Sequence, residues 1–286
     1  MSLFPIRPRV RTAALTVVGL AAAAVVASGP ASAEPSASPD TSSPPAAGRP
    51  TVVLVHGAWA DASSFAPVTE RLQRDGYTVL AAPNPVRGLV GDAATVAAFV
   101  NQATTGPVVL VGHSYGGAVI TNAATQAPRV QALAYIDAFA PAEGESTAQL
   151  SAAKPGSRLA GDPATVFDVV QDPSAPAGDP DLYVKRPLFA QAFAGRLPRQ
   201  TARQLAAAQT PAAAGALGEP SGVPAWKTIR SWFLVGTADQ IIPPAEQFAE
   251  AARAHGVVVT AATGHLAMLE VPAAVAALIE RAASAR

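Results

Sequence analysis

The sequence predicts an α/β fold, with a mainly parallel sheet of about six strands flanked by helices. From Pro50 onward, short runs rich in β-branched residues alternate with segments of helical periodicity. Such alternation is typical of parallel strands joined by helical crossovers. The runs are continuously apolar, which indicates strands that are buried on both faces. The predicted strands are 51–55, 77–81, 108–111, 132–136, 231–235 and 257–260.

Three segments between or after these strands have the apolar spacing of amphipathic helices. In each of them, apolar residues recur at intervals of three or four positions, so they share one helix face. The third segment also has Pro272 in a position suited to a first helical turn. The three stripes are Phe65, Val68 and Leu72, then Val96, Phe99 and Val100, and finally Val271, Val275, Leu278 and Ile279.

Residues 1–33 have the three parts of a secretory signal peptide. A start with three arginines precedes an almost wholly apolar stretch at 12–28, and small residues follow at 31–33. This pattern predicts cleavage after Ala33 and a secreted, extracellular protein. The alternative is an uncleaved membrane anchor, but the apolar stretch is short for a span of about 20 residues. We therefore expect no stable membrane insertion after cleavage.

The mature chain is expected to form one domain preceded by a spacer. Residues 34–49 are mostly Ser, Pro and Ala, which predicts a disordered linker. The structured domain is then expected at 50–286. Without the three signal-peptide arginines, the chain has 17 basic and 20 acidic residues, a net charge of −3. This charge gives no reason to expect binding to nucleic acid. A core of this size also needs no disulfide bond, and the chain has no cysteine.

Residues 140–224 interrupt the alternation of strands and helices. Prolines recur throughout this interval, and it contains no run that reads as a buried strand. Ordered loops of such length are uncommon unless they are functional. The interval predicts an inserted, mostly helical cap, with candidate helices at 164–170 and 201–209.

A motif for nucleophilic catalysis lies at 112–116, where the chain reads Gly-His-Ser-Tyr-Gly. It follows the predicted strand 108–111 and precedes an alanine-rich apolar run, which is the context of a Gly-x-Ser-x-Gly nucleophile elbow. In such an elbow the serine occupies a strained turn, and a Cβ on either neighbouring glycine would collide with the strand or the helix. Ser114 is therefore the predicted nucleophile.

A serine hydroxyl needs a base to take its proton, and the chain has four histidines. His113 lies within the elbow, with its side chain expected to point away from the serine, so we assign it a structural role. His255 follows a predicted helix and is expected at the surface, and His56 ends the first strand and is expected to shape the loop there. His265 lies in a loop just after the last strand, so it is the predicted base.

The acid that orients the histidine is predicted to be Asp239. It follows the strand at 231–235 and lies between the serine and the histidine along the chain. The order Ser114, Asp239, His265 is that of α/β-hydrolases, and it differs from the orders in two large serine-protease families. The alternative is Asp137, which ends the strand before the cap; otherwise we expect it near the floor of the pocket.

The oxyanion of a tetrahedral intermediate needs backbone N–H donors. The elbow supplies the N–H of Tyr115, and the loop after the first strand supplies the second. Ala58 is the predicted second donor, with Trp59 as the one-residue alternative. Gly57 allows the backbone to approach closely.

With these residues identified, the chain from Pro50 onward resembles the α/β-hydrolase superfamily. Three stretches resemble the branch that holds plant methyl esterases, hydroxynitrile lyases and many bacterial esterases. They are Val-Val-Leu-Val-His-Gly-Ala at 52–58, Gly-His-Ser-Tyr-Gly-Gly at 112–117 and His-Leu-Ala-Met-Leu-Glu-Val-Pro at 265–272.

This resemblance also separates activities within the branch. Its hydroxynitrile lyases have a lysine directly after the catalytic histidine and a threonine after the first-strand histidine. This chain has Leu266 and Gly57 at those positions, so the resemblance implies ester hydrolysis rather than cyanohydrin cleavage. Dehalogenases of the superfamily use an aspartate as nucleophile, whereas this chain has Ser114.

The function expected from the sequence is that of a secreted serine hydrolase acting on small or medium carboxylic esters through an acyl-enzyme. No metal or organic cofactor is implied, and the expected partner is a small-molecule ester. Phe139, Leu266 and Met268 are candidates for contacting it, although ordinary core packing explains each equally well. The alternatives are a lactonase, thioesterase or perhydrolase on the same triad, or a non-catalytic binding protein of the same fold. The oligomeric state stays open.

Overall fold

The computed structural model describes residues 48–175 and 179–285. The predicted signal peptide and nearly all of the predicted linker lie outside these residues, so both stay predictions. Within the described ranges, no helix combines the length and the apolar character that crossing a lipid bilayer requires.

The strands form two sheets. The strands are β1 (Thr51–Val55), β2 (Val79–Ala81), β3 (Val108–Ser114), β4 (Val130–Ala138), β5 (Phe167–Val170), β6 (Asp181–Val184), β7 (Ala212–Ala213), β8 (Ser231–Gly236) and β9 (Val257–Ala261). In the described residues, the larger sheet has six strands, all parallel, in the order β2-β1-β3-β4-β8-β9. The smaller sheet is antiparallel, in the order β5-β6-β7.

The predicted fold class is confirmed, because each strand of the larger sheet falls on a predicted one. β3 lies inside the sheet between β1 and β4, and every one of its residues is buried. A strand in that position packs on both faces, which explains its continuous apolar run. β2 is at an edge and is shorter than predicted, since it begins at Val79 rather than Tyr77.

The helices pack against the larger sheet or belong to the cap. The helices are α1 (Ala66–Arg74), α2 (Leu89–Ala103), α3 (Tyr115–Ala123), α4 (Thr147–Ala153), α5 (Pro163–Val166), α6 (Arg186–Leu188), α7 (Arg199–Ala207), α8 (Ala214–Gly218), α9 (Pro244–Arg253), α10 (Ala267–Glu270) and α11 (Pro272–Ser284). The three predicted stripes fall on α1, α2 and α11, except that Phe65 and Val271 lie directly before the first residues of α1 and α11. α11 packs against β4 and β8. Short 3₁₀ turns occupy Ala62–Phe65, Ala124–Gln126 and Ala225–Lys227, and a π-helical turn occupies Phe189–Phe193.

The cap lies between β4 and β8, as predicted, but it also contains the small antiparallel sheet. The predicted helix at 201–209 is found as α7. The predicted helix at 164–170 is wrong in its second half, because α5 ends at Val166 and the chain continues as β5. Residues of β5 pair with β6, for example Val169 with Leu182, so pairing with the next strand overrides the local helical pattern.

Candidate active site

Ser114 lies at the sharp junction between β3 and α3. Its backbone has φ 53° and ψ −125°, a strained conformation for a residue with a side chain. A Cβ at Gly112 would lie 2.5 Å from the carbonyl oxygen of Gly116. A Cβ at Gly116 would lie 2.7 Å from the carbonyl oxygen of His56. The flanking glycines therefore let the strand, the turn and the helix approach closely enough to hold Ser114 in this turn.

Ser114 lines a cavity of about 400 Å³ between the sheet and the cap. The candidate oxyanion residues Ala58 and Tyr115 line the same cavity. Among the described residues, no charged side chain lines it, and Thr147 and Ser151 are its polar members besides Ser114 and Tyr115. Large apolar side chains make up much of the wall, namely Trp59, Phe139, Leu159, Phe167, Leu182 and Leu217.

Asp239 and His265, the predicted acid and base, form a buried pair. Nδ1 of His265 lies 2.9 Å from Oδ2 of Asp239, and both side chains are fully buried. The backbone N–H groups of Ile241 and Ile242 donate to Oδ1 of Asp239, at 2.7 and 3.1 Å, and Gln247 donates to Oδ2 at 2.9 Å. Burial raises the pKa of Asp239, and these bonds oppose that effect. They also fix the orientation of the carboxylate toward the imidazole.

This pairing determines which nitrogen of His265 can accept a proton. Because Nδ1 faces a carboxylate that accepts hydrogen bonds, it carries the hydrogen, and Nε2 keeps a lone pair. Nε2 is buried and has no hydrogen-bond partner in the described part of the chain. The hydroxyl of Ser114 is thus not bonded to it in this structure; catalytic contacts of this kind are often long without substrate. Burial lowers the pKa of His265 and so favours the neutral ring.

The two candidate oxyanion donors line the same cavity as Ser114. Tyr115 is the first residue of α3, and a backbone N–H in that position has no partner within its own helix. Ala58 lies in the turn after β1, whose closeness to the serine is evident at Gly57, where a Cβ would lie 2.7 Å from Cβ of Ser114. The sequence alternative, Trp59, also lines the cavity.

Of the three residues predicted to contact the substrate, the structure places one on the cavity wall. Phe139 lines the cavity. Leu266 and Met268 do not; their side chains are 2% and 0% exposed and belong to the hydrophobic core. The chain turns into α10 directly after His265, and this turn directs both residues into the core.

His113, for which a structural role was expected, is buried beside the candidate base. Its Nε2 donates to the backbone carbonyl of His265 at 2.9 Å, and the two rings lie 4.7 Å apart. Sequence reasoning missed this contact, which joins positions far apart in the chain. His255 is exposed, and Nδ1 of His56 lies 2.9 Å from the carbonyl of Gly57.

The cap contributes aromatic contacts to the site that sequence reasoning also missed. Phe193 packs edge-on against the ring of His265, with centroids 4.9 Å apart. Trp59 packs against Phe193 and Phe167, and its Nε1 donates to the carbonyl of Leu182 at 2.8 Å. Through these contacts of Trp59, the loop that follows β1 is attached to the cap. No periodicity in the sequence predicts them.

Comparisons with known proteins identify the family of the chain. The family model described as "Alpha/beta hydrolase family" matches residues 52–278. An esterase from Nocardioides sp. (strain SG-4G) that hydrolyses carbendazim is 36% identical over 106 residues, which cover 33% of this chain and 44% of that protein. The aligned region thus spans less than half the length of this curated relative.

Many solved structures share the fold, among them the following two. A pyrethroid hydrolase from Sphingobium faniae JZ-2 is 21% identical, with a TM-score of 0.64, and the alignment covers 82% of this chain and 98% of that one. A methylesterase from Arabidopsis is 18% identical, with a TM-score of 0.64, and the alignment covers 82% and 99%. The family expected from the three motifs is confirmed: this chain belongs to the alpha/beta hydrolase family.

Proposed function

We propose that the protein is a serine esterase that cleaves small to medium, uncharged carboxylic esters. One observation carries this proposal: Ser114 stands on a strained elbow at the wall of an apolar cavity, in a chain that also holds a buried Asp239–His265 pair. A serine, a histidine and an oriented carboxylate are the parts that acyl transfer requires.

The reaction follows from these parts. Oγ of Ser114 attacks the acyl carbonyl while Nε2 of His265 takes the hydroxyl proton. The oxyanion is held by the N–H groups of Tyr115 and Ala58. His265, as imidazolium stabilised by Asp239, then gives its proton to the leaving alkoxide. Water, deprotonated by the same nitrogen, attacks the acyl-enzyme. The imidazolium then returns this proton to Oγ of Ser114 as the carbon–Oγ bond breaks and the carboxylic acid is released.

The relatives support the reaction class. The curated relative is named an esterase, and two of the solved structures of the same fold are named a pyrethroid hydrolase and a methylesterase. Leu266 after the candidate base, where hydroxynitrile lyases have lysine, leaves that position without a cation. A buried leucine cannot stabilise a departing cyanide, which disfavours the lyase reaction.

The cavity supports the substrate class. A volume of about 400 Å³ suits a small organic molecule, since ligand pockets span roughly 300–1,000 Å³. Its apolar wall favours uncharged acyl and alcohol groups, because an unpaired charge loses its hydration there.

A fluorophosphonate probe tests the proposal. It phosphonylates activated serines, so we expect it to label the wild-type protein and to leave Ser114→Ala unlabelled. A series of nitrophenyl esters of increasing acyl length then measures hydrolysis directly and defines the chain length that the cavity accepts. Absence of both labelling and hydrolysis in the folded wild-type protein would favour a non-catalytic binding protein.

The same proposal includes export of the protein. The basic, apolar and small-residue parts of residues 1–33 support a signal peptide cleaved after Ala33. Sequencing the N-terminus of protein recovered from the culture medium tests this, and Glu34 is the expected first residue. Recovery of the protein only within cells, with its first residues intact, would contradict export.

A further inference from the structure

Asp137 is the extra residue of a β-bulge beside the candidate nucleophile. Along β3 and β4, His113 pairs with Ile136 and Ser114 pairs with Ala138, so Asp137 has no partner on β3. Its φ is 43°, in the left-handed region that a residue with a side chain rarely adopts. Bulges of this kind redirect a side chain next to an active site.

The redirected carboxylate holds two backbone N–H groups. Oδ1 accepts from Gly236 at 2.6 Å, and Oδ2 accepts from Ala267 at 3.2 Å. Gly236 ends β8, three residues before Asp239, and Ala267 begins α10, two residues after His265. A single fully buried side chain thus joins the two loops that carry the acid and the base.

Placing this carboxylate here carries a free-energy cost. Burial raises the pKa of Asp137, and the neighbouring charges of Asp239 and Glu270 raise it further. No basic side chain is hydrogen-bonded to it in the described ranges. A strained backbone and a second buried acid beside Asp239 both disfavour the folded state. What this arrangement provides in return is one hydrogen bond between Asp137 and each of the two loops.

Two other side chains hold the His265 loop at different points. Both oxygens of Glu270 accept from the N–H of Gly264, each at 3.1 Å, and His113 donates to the carbonyl of His265. These contacts hold the His265 loop alone. Asp137 differs from these two side chains because it also reaches the loop of Asp239. Backbone bonds from Thr237 to Ala261 and from Ala238 to Thr263 connect the same two loops, and Asp137 adds a side-chain contact to each.

We propose that Asp137 is a positioning residue that holds the loops of Asp239 and His265 in register, so that the imidazole faces Ser114 correctly. This inference rests on the proposed esterase function of that site. It assigns no proton transfer to Asp137, which is bonded to backbone rather than to His265. Its contribution is geometric, and small errors in geometry are costly, since a misplacement of about 1 Å can reduce a rate by about 100-fold.

Two substitutions remove the contacts of Asp137 to different degrees. In Asp137→Asn the amide keeps one acceptor oxygen, so one of the two bonds survives, while its NH₂ faces the other N–H group. Asp137→Ala removes both bonds. We expect kcat to fall by about 10-fold or more in Asp137→Asn and by up to about 100-fold in Asp137→Ala. KM should stay nearly unchanged, because Asp137 does not line the cavity.

Glu250→Gln is the matched control. Glu250 is 1% exposed and accepts from the backbone N–H of Ala140, so it is also a buried carboxylate bound to backbone, but it holds neither triad loop. Its variant should lose comparable thermal stability and keep kcat. If Glu250→Gln and the Asp137 variants all lost kcat in proportion to their loss of thermal stability, the positioning role would be overturned.

Amide hydrogen exchange gives a readout independent of esterase activity. In the wild-type protein we expect the N–H groups of Gly236 and Ala267 to exchange slowly, and in Asp137→Asn we expect at least one to exchange faster. Fast exchange of both groups in the wild type would overturn the proposal even if the variants fail to fold. If the exchange results hold but the wild type hydrolyses no ester, the proposed function fails and the contact between the loops stands.

Discussion

At the scale of single residues, burial sets the protonation state of His265. The imidazole is fully buried, and water can no longer solvate its charged form, so its pKa falls below the ordinary value of 6.5. In the proposed mechanism, the neutral ring accepts the proton of Ser114. The same burial keeps Nε2 away from solvent.

This burial predicts the acid limb of the pH–rate profile. Activity needs neutral His265, and a lowered pKa keeps it neutral as the pH falls, so kcat/KM for an uncharged ester should hold down to pH 6.5 and decline only below it. The profile of His255→Asn, which changes an exposed histidine, should match the wild type. A decline that begins above pH 6.5 would contradict the effect of burial.

Tyr115 combines a backbone and a side-chain contact, and a substitution separates them. Its hydroxyl donates to the buried carboxylate of Asp92 at 2.8 Å, whereas the proposed catalytic group is its backbone N–H. Tyr115→Phe should therefore lower the free energy of unfolding by about 1–3 kcal/mol, because Asp92 loses a partner, and leave kcat near the wild-type value. Urea denaturation and steady-state kinetics measure the two effects.

Tyr135→Phe is the control for this substitution. Tyr135 is equally buried, but its hydroxyl pairs with Thr121 rather than with a carboxylate. We expect Tyr135→Phe to lower the free energy of unfolding by less, about 1 kcal/mol. If Tyr115→Phe lowered kcat strongly at unchanged stability, the phenol itself would contact the reacting groups.

The candidate triad could be predicted from sequence because local context identifies each residue. Ser114 has its elbow, and Asp239 and His265 follow recognisable strands in a fixed order. Asp137 and His113 could not be assigned in the same way. Their contacts depend on a bulge and on a carbonyl 152 positions away, and no spacing in the chain encodes either.

At the scale of elements, the strand–turn–helix unit around Ser114 depends on close packing of backbone. Gly116 lies where α3 passes the end of β1, and its missing side chain leaves room for the carbonyls of Val55 and His56. Both contacts are to backbone atoms of the sheet, which cannot move aside as a side chain can.

Gly116→Ala should therefore destabilise the protein and displace Ser114. The added Cβ would lie 2.7 Å from the carbonyl oxygen of His56, and overpacking of this kind costs about 1–3 kcal/mol. Thermal unfolding and the rate of fluorophosphonate labelling should both report the change.

Gly91→Ala is the matched control. Gly91 lies in α2, and no described atom outside its immediate helix backbone lies within 4 Å of the place that an alanine Cβ would occupy. Alanine there should be neutral or stabilising by about 0.5–1 kcal/mol. Equal effects of the two substitutions would contradict a steric role for Gly116.

The elements of the larger sheet were predictable and those of the cap were not. β3 and β4 are long, apolar and buried, so their sequences alone indicate strands. In the cap, β7 has two alanines, and Val169 and Val170 of β5 are 56% and 49% exposed. These strands exist because they pair with one another, and pairing between distant segments leaves little local pattern.

At the scale of the whole molecule, the cavity belongs to both the sheet and the cap. Ser114 and Ala58 come from the ends of sheet strands, whereas Leu159, Phe167 and Leu217 come from the cap. The candidate catalytic residues thus lie on the part of the chain that sequence reasoning could interpret, and the cavity wall lies mostly on the part that it could not. Direct tests of specificity must therefore address the cavity itself.

The uncharged wall predicts discrimination between matched esters. 4-Nitrophenyl butyrate and the mono-4-nitrophenyl ester of succinic acid have acyl chains of the same length, and the second ends in a carboxylate. No cation lines the cavity in the described residues, and a buried charge without a partner costs several kcal/mol. We expect kcat/KM for the succinate to be lower by about 100-fold or more.

Leu159 is half-buried on the wall, so Leu159→Lys should recover part of the succinate activity and Leu159→Met should not. Equal rates for the two esters in the wild-type protein would show that the acyl chain does not enter this cavity.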